Sequence, residues 1–257
     1  MLREALGIVA TGVALAPALV AARFSDAATR GALGIPGALA ALGIAERPCE
    51  VIALSGGHSS AVYELRFAHA TLVLKHALET GSILARGARL CGPQPYPIDL
   101  SPAARTQREA VALDVLARAG VCAPRVIAVN AAAGMLLLEH VPGVPLPRVR
   151  SLHGIFAYRA ALDAAHAAGL VLNDAHPGNA LVDGGRIVLI DLEYAERSND
   201  PDRRAFDLAF AAAYLTPAER RVFLRDEHDL RVAAATCRLA RYAPMFAYEA
   251  ARQRAAS

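Results

Sequence analysis

Asp174, Asn179 and Asp191 stand out in the stretch from Gly169 to Ala195, GLVLNDAHPGNALVDGGRIVLIDLEYA, which is otherwise largely apolar. Carboxylate and amide oxygens are hard ligands that suit a hard divalent cation such as Mg²⁺. A carboxylate beside such a site can also take a proton from an incoming hydroxyl. Two apolar runs, Ala180 to Val182 and Ile187 to Ile190, flank a turn containing Asp183-Gly184-Gly185. This spacing predicts a β-hairpin, because Asp-Gly and Gly-Gly supply the positive φ angles of a tight turn. Asn179 lies just before the first strand and Asp191 just after the second. Antiparallel pairing brings those two ends together, with Asp174 on the same loop as Asn179.

The string Asp174-Ala175-His176-Pro177-Gly178-Asn179, followed by Ile190-Asp191, resembles the catalytic and metal-binding loops of the protein-kinase-like superfamily. The resemblance is greatest to its small-molecule branch, the aminoglycoside, choline and lipopolysaccharide-core kinases, where D-x-H-P-x-N is common. The Asp-to-Asn spacing is that of H-R-D-x-x-x-x-N. The resemblance implies an α+β, two-lobed kinase-like fold: a small antiparallel β-sheet lobe and a mostly helical lobe, here with a helical N-terminal extension. It implies ATP and Mg²⁺, with Asn179 and Asp191 as metal ligands and Asp174 orienting the attacking hydroxyl. The bland reading is two loop residues in Asx turns and a strand-capping Asp. The order of the remaining parts decides between them.

Those parts must lie upstream. Glu50 to Leu54, Ala61 to Phe67 and Thr71 to Lys75 read as strands, with Ser55-Gly56-Gly57-His58-Ser59-Ser60 between the first two. Gly56 and Gly57 would let backbone N–H groups approach a phosphate, and Ser59 and Ser60 could add donors. The turn departs from G-x-G-x-x-G. Leu72-Val73-Leu74-Lys75 resembles the V-A-I-K strand, which implies that Lys75 holds the α- and β-phosphates. A helix is expected from Ser101-Pro102, with Ser as cap and Pro in the first turn, to about Ala119, ended by Gly120. Glu109 shares an apolar stripe with Leu113 and Leu116 on that helix, so a cationic partner is needed, and Lys75 would supply it. Asp114 falls on another face and is expected in solvent. Arg125 to Asn130 and Met135 to His140 read as strands, and Glu139 and Val141 take the place of the hinge whose backbone meets adenine.

Leu152 to Ala168 reads as a helix closed by Gly169. Leu172 and Asn173 replace the kinase His and Arg, which argues against switching by a phosphorylated activation loop. Leu192-Glu193 replaces Phe-Gly, and no A-P-E element follows. Asp207, in the helical stretch Asp202 to Leu215, is either a brace for the catalytic loop or a solvated acid. The stretch from Leu78 to Leu100 is rich in Gly and Pro and long for a loop.

The chain has 257 residues, 55% of them apolar, and a net charge of +3. Charges are interspersed, so no basic stripe argues for nucleic acid. Cys49, Cys91, Cys122 and Cys237 fit no zinc spacing and read as free thiols of a reducing cytoplasm. Residues 5–22 carry no charge; they read as a packed helix or as a peripheral membrane contact. The expected organisation is an Ala-rich helical extension over 1–48, a nucleotide-phosphate lobe over 49–141 and a helical lobe over 142–257. The expected function is γ-phosphoryl transfer from ATP to a hydroxyl of a small molecule or glycan, in the cytoplasm. Alternatives are a nucleotide-binding pseudokinase scaffold, an atypical Ser/Thr protein kinase, or a metal-dependent hydrolase built on His166, Asp174 and His176.

Overall fold

A computed structural model describes residues 34–54, 59–80, 82–83, 97–225 and 229–240. The apolar run 5–22, the turn residues Gly56, Gly57 and His58, most of the 78–100 stretch and residues 241–257 lie outside the described residues. The chain divides into two compact units, one formed by residues 1–110 and 125–140, the other by 111–124 and 141–257. No described helix is long and apolar enough to cross a membrane.

The first unit is built on one antiparallel sheet of five strands: β1 (Glu50–Leu54), β2 (Ser60–Arg66), β3 (Thr71–Ala77), β4 (Val126–Asn130) and β5 (Met135–Glu139), in the order β1-β2-β3-β5-β4. Strand alternation assigns its two faces. Tyr63 lies opposite Leu74, and Leu74 opposite Leu137, so these side chains share a face. A short helix α1 (34–41) packs Ala38 and Leu39 onto Leu65, Leu74, Met135 and Leu137 of that face. Each such leucine contributes about 1.5–3 kcal/mol by leaving water. The end of the alanine-rich extension is thus part of the sheet's core. One residue along β3 the side chain points the other way, and that residue is Lys75.

Helix α2 (Pro102–Arg118) starts where Ser101 Oγ accepts from the Ala104 N–H, at 3.3 Å. It ends at Gly120, whose φ of +70° lets the chain turn while the Val121 N–H returns to the Leu116 carbonyl. The unit boundary falls within α2, after Ala110. Asp114 pairs with Arg118 on its exposed side.

The second unit is mainly helical. Its helices are α3 (Leu152–Ala167), α4 (Pro201–Ala213), α5 (Pro217–Leu224) and α6 (Leu230–Leu239). Ser151, Asp200, Thr216 and Asp229 cap them with side-chain oxygens, as their position before each run dictates. Thr216 and Glu219 close a reciprocal capping box, and the Arg150 Nε donates to Glu219 at 2.7 Å. A small sheet runs β6-β8-β9, from Val144–Pro145, Ala180–Asp183 and Arg186–Leu189. In the β8–β9 hairpin Gly184 and Gly185 have φ of +54° and +83°, so the Asp-Gly-Gly signal forms the turn it specifies. A second ladder joins β7 (Leu170–Val171) to β10 (Glu196–Arg197), with Val171 opposite Glu196. It ties the strand before Asp174 to the segment after Asp191.

Candidate active site

In the first unit, Lys75 Nζ donates to Glu109 Oε2 at 2.7 Å, with side chains only 9% and 3% exposed. The pair follows from the strand alternation that turns Lys75 off the α1 face, and from the stripe of α2 that carries Glu109. Burying two charges costs several kcal/mol each, and their attraction about repays it. Such a pair is therefore poor evidence of stability and fits a positioned ammonium better. One helical turn before Glu109, the fully buried Arg105 donates to the carbonyls of Ser59 and Leu78, at 3.1 and 2.6 Å. Arg105 thereby holds the entry of β2 and the exit of β3. Ser60 is buried at the start of β2. The Glu139 N–H is bonded to the Arg125 carbonyl and its carboxylate to Arg125 Nε at 3.0 Å, so its backbone N–H is committed within the sheet. Val141 follows as the first residue of the second unit's long segment.

In the second unit, the loop from Leu172 to Asn179 is held from beneath. Asp207, with 0% exposure, accepts from the N–H groups of Leu172 and Asn173 at 2.6 and 2.8 Å. His166 Nε2 lies 3.0 Å from the same carboxylate. Of the two readings of Asp207, the brace is the one observed. Asn173 has a φ of +61°, a region Asn tolerates better than most residues. His176 caps the turn that follows, its Nδ1 accepting from the Gly178 N–H at 3.1 Å. Both histidines of the hydrolase alternative are thus engaged in shaping the loop. The short turn Pro177–Asn179 ends with Asn179 Nδ2 donating to the Asp174 carbonyl at 3.1 Å. The Asn179 carbonyl in turn accepts the Ile190 N–H at 3.0 Å, so the hairpin brings Asn179 beside the residue preceding Asp191. Asp191 itself takes a φ of +58°.

This donor set fits a hard cation. The Asn179 amide spends its NH₂ on the Asp174 carbonyl, so Oδ1 is the atom with which it could meet a cation, and the Asp191 carboxylate could supply a second oxygen. Asp174 is half-buried on the same loop. Behind it Tyr158 is buried, and burial, aided by the charges of Asp207 and Asp174, pushes its phenol well above the ordinary range. Three features lie outside the sequence reading: the side-chain bonds of Asn173, the inward turn of Arg203, and the burial of Glu193. Asn173 carries a signal in hindsight, since an Asn inside a loop motif is a frequent mark of positive φ.

Neither a protein-family profile nor a curated protein matches the sequence. Among solved structures, WaaP in complex with acyl carrier protein is similar over 82% of this chain and 92% of that chain, at 17% identity and a TM-score of 0.49. The PknI kinase domain of Mycobacterium tuberculosis is similar over 66% of this chain and 74% of its own, at 20% identity and a TM-score of 0.44. Both likenesses are distant. The chain's own order of strands, helix and loops is the one expected from the sequence's resemblance to the protein-kinase-like superfamily.

Proposed function

We propose that this chain is a phosphotransferase that moves the γ-phosphoryl group of ATP to a hydroxyl of a small molecule or glycan. The observation that carries the reading is the tie of Asn179 to both the Asp174 carbonyl and the Ile190 N–H. It ties the loop that carries Asp174 and Asn179 to the residue preceding Asp191. Lys75, oriented by Glu109, holds the α- and β-phosphates, with Ser59 and Ser60 beside them. The backbone at Glu139 and Val141 faces adenine. Asn179 and Asp191 hold Mg²⁺, which when bound offsets charge on the phosphate oxygens. Asp174 orients the acceptor hydroxyl and takes its proton. The acceptor oxygen forms a bond to the γ-phosphorus as the bond to the β–γ bridging oxygen breaks, and ADP leaves with that electron pair. Most of the rate enhancement comes from positioning and electrostatics. The absence of an A-P-E element favours a small acceptor over a protein, and ATP as donor favours the cytoplasm.

The test is thermal unfolding with and without Mg²⁺·ATP, on wild type and on Asp191→Asn. Ligand at 100 times its Kd stabilises by about 2.7 kcal/mol. A shift that needs Mg²⁺ and fades in Asp191→Asn supports the reading, and no shift at millimolar ATP overturns it. Asp174→Ala should keep the shift and lose at least ~10²-fold in turnover. A wild type that binds Mg²⁺·ATP yet transfers phosphoryl to neither water nor any hydroxyl offered would be a scaffold.

A further inference from the structure

The side chain of Asn173 joins elements that the backbone leaves only loosely tied. Its Nδ2 donates to the Tyr194 carbonyl at 2.7 Å, and its Oδ1 accepts from Arg203 Nη2 at 2.9 Å. Arg203 also donates to Glu196, from the first turns of α4. Asn173 is fully buried, and both ends of its amide are used. Its own N–H is taken by Asp207. The residue therefore meets the segment after Asp191 through Tyr194, and meets α4 through Arg203.

The existence of the loop does not require these bonds. Asp207 already holds two of its N–H groups, and the β7–β10 ladder already pairs Val171 with Glu196. Asp174 and Asp191 lie beyond that ladder, and a residue at positive φ stands at each place, Asn173 and Asp191. Beyond the ladder the two segments are joined at their far end by the Ile190 N–H on the Asn179 carbonyl, and at Asn173 by the bridge of side chains. Glycine would suit the φ at 173 with less strain, but only Asn combines positive φ with a donor and an acceptor in one short side chain.

We propose that Asn173, clamped by Arg203, is a positioning residue that sets the Asp174 loop in register with the Asp191 segment. The role rests on the phosphotransferase reading above. It acts through Asp174 and Asp191 and touches no reacting atom.

The experiment uses the full chain as wild type, Arg203→Met, Arg203→Lys and Asn173→Gly. Asn173→Gly keeps the positive φ and so guards against a variant that fails to fold. Two readouts are taken: amide hydrogen exchange by segment, and Mg²⁺·ATP hydrolysis. In hydrolysis water replaces the acceptor, the bond from the γ-phosphorus to the bridging oxygen breaks, ADP leaves, and Asp174 takes the proton of water. Expected are at least ~10-fold faster exchange over 170–175 and 192–197 with α3 unchanged. A kcat lower by ~10- to 100-fold is expected, the scale of an ångström-sized misplacement. KM for Mg²⁺·ATP should rise by a smaller factor than kcat falls, since Lys75 lies elsewhere while Asp191, a ligand of the metal, shifts with its segment. Arg203→Lys should recover part of kcat, because one ammonium reaches one of the two partners.

Faster exchange with unchanged kcat would make the bridge a structural tie only and overturn the proposal. Unchanged exchange in both segments would overturn it as well. A wild type that neither binds nor hydrolyses Mg²⁺·ATP removes the phosphotransferase reading, and the positioning role with it. That failure is seen before any variant is made, so the two cannot be confused.

Discussion

Removing the charge from either member of the Lys75–Glu109 pair should damage the protein more than removing both. At a separation of 2.7 Å and an effective dielectric constant near 20, the attraction is about 6 kcal/mol. The desolvation of two side chains only 9% and 3% exposed is of similar size, several kcal/mol for each ion, so the pair's net contribution is near zero. Lys75→Met leaves the Glu109 carboxylate in the same buried place without its ammonium, at a cost of about 3–5 kcal/mol. Glu109→Leu removes the carboxylate that Lys75 meets at 2.7 Å and should also destabilise. The double variant buries two apolar side chains of similar volume instead and should lie within about 1 kcal/mol of wild type. The assay is urea unfolding of all four proteins, read as a double-mutant cycle. The coupling should be at least ~3 kcal/mol, with the double variant more stable than either single. Additive losses would refute the reasoning, because they would mean that each side chain contributes by packing alone. The same four proteins separate stability from function. The stable double variant should show no Mg²⁺·ATP shift, because no ammonium is left to meet the phosphates.

Other expectations concern pH and two glycines. Burial opposes ionisation of Glu219, but the Thr216 N–H and hydroxyl and the Arg150 guanidinium outweigh it and hold its carboxyl below the usual glutamate range. A depressed folded value means stability that is present above the unfolded pKa and lost as pH falls through the folded one. Urea midpoints from pH 7 downward should therefore fall more steeply below the ordinary glutamate range in wild type than in Glu219→Gln. Parallel curves would show that the capping box is insensitive to this charge. Gly134 has a φ of +67°, and an added Cβ would lie 3.2 Å from Pro102 Cβ and 3.3 Å from the Ala77 carbonyl oxygen. Gly134→Ala should cost at least ~1–2 kcal/mol from the left-handed backbone alone. Gly184, at φ +54°, has nothing within 4 Å of such a Cβ. Gly184→Asn should stay within about 0.5 kcal/mol of wild type in the same unfolding assay.

The sequence makes some of these features legible and hides others for physical reasons. The β8–β9 hairpin is legible because Asp-Gly-Gly interrupts two apolar runs, and strand ends then follow from pairing. The contact of Lys75 with Glu109 is legible because a carboxylate on an apolar helical stripe needs a cation. Asp207 could not be assigned from pattern: residues 205–212 of α4 are all buried, so the helix has no polar face against which an inward acid stands out. Arg203 is hidden in an Asp-Arg-Arg run, where periodicity does not say which guanidinium turns inward. The 34–41 helix, Gly-Ile-Pro-Gly-Ala-Leu-Ala-Ala, carries no charged side chain to mark a face, and its fit to the sheet depends on contacts distant in sequence. The fold was thus open to reading through its turns, caps and charges, while the bridge at Asn173 depends on partners, Tyr194 and Arg203, that lie 21 and 30 residues away in the sequence.

Arg105 and Glu109 stand one helical turn apart on α2, the first gripping the carbonyls that bound the β2–β3 hairpin and the second gripping the lysine within it. The helix therefore meets the hairpin at two fixed points, like a key with two teeth. At 3.6 residues per turn, inserting or deleting one residue between them would swing one tooth about 100° out of line with the other. Neither grip can be re-spaced without losing its companion. Length changes within residues 105–109 should be barred in any working descendant of this chain, while the composition of the exposed side of the same turn is free to drift.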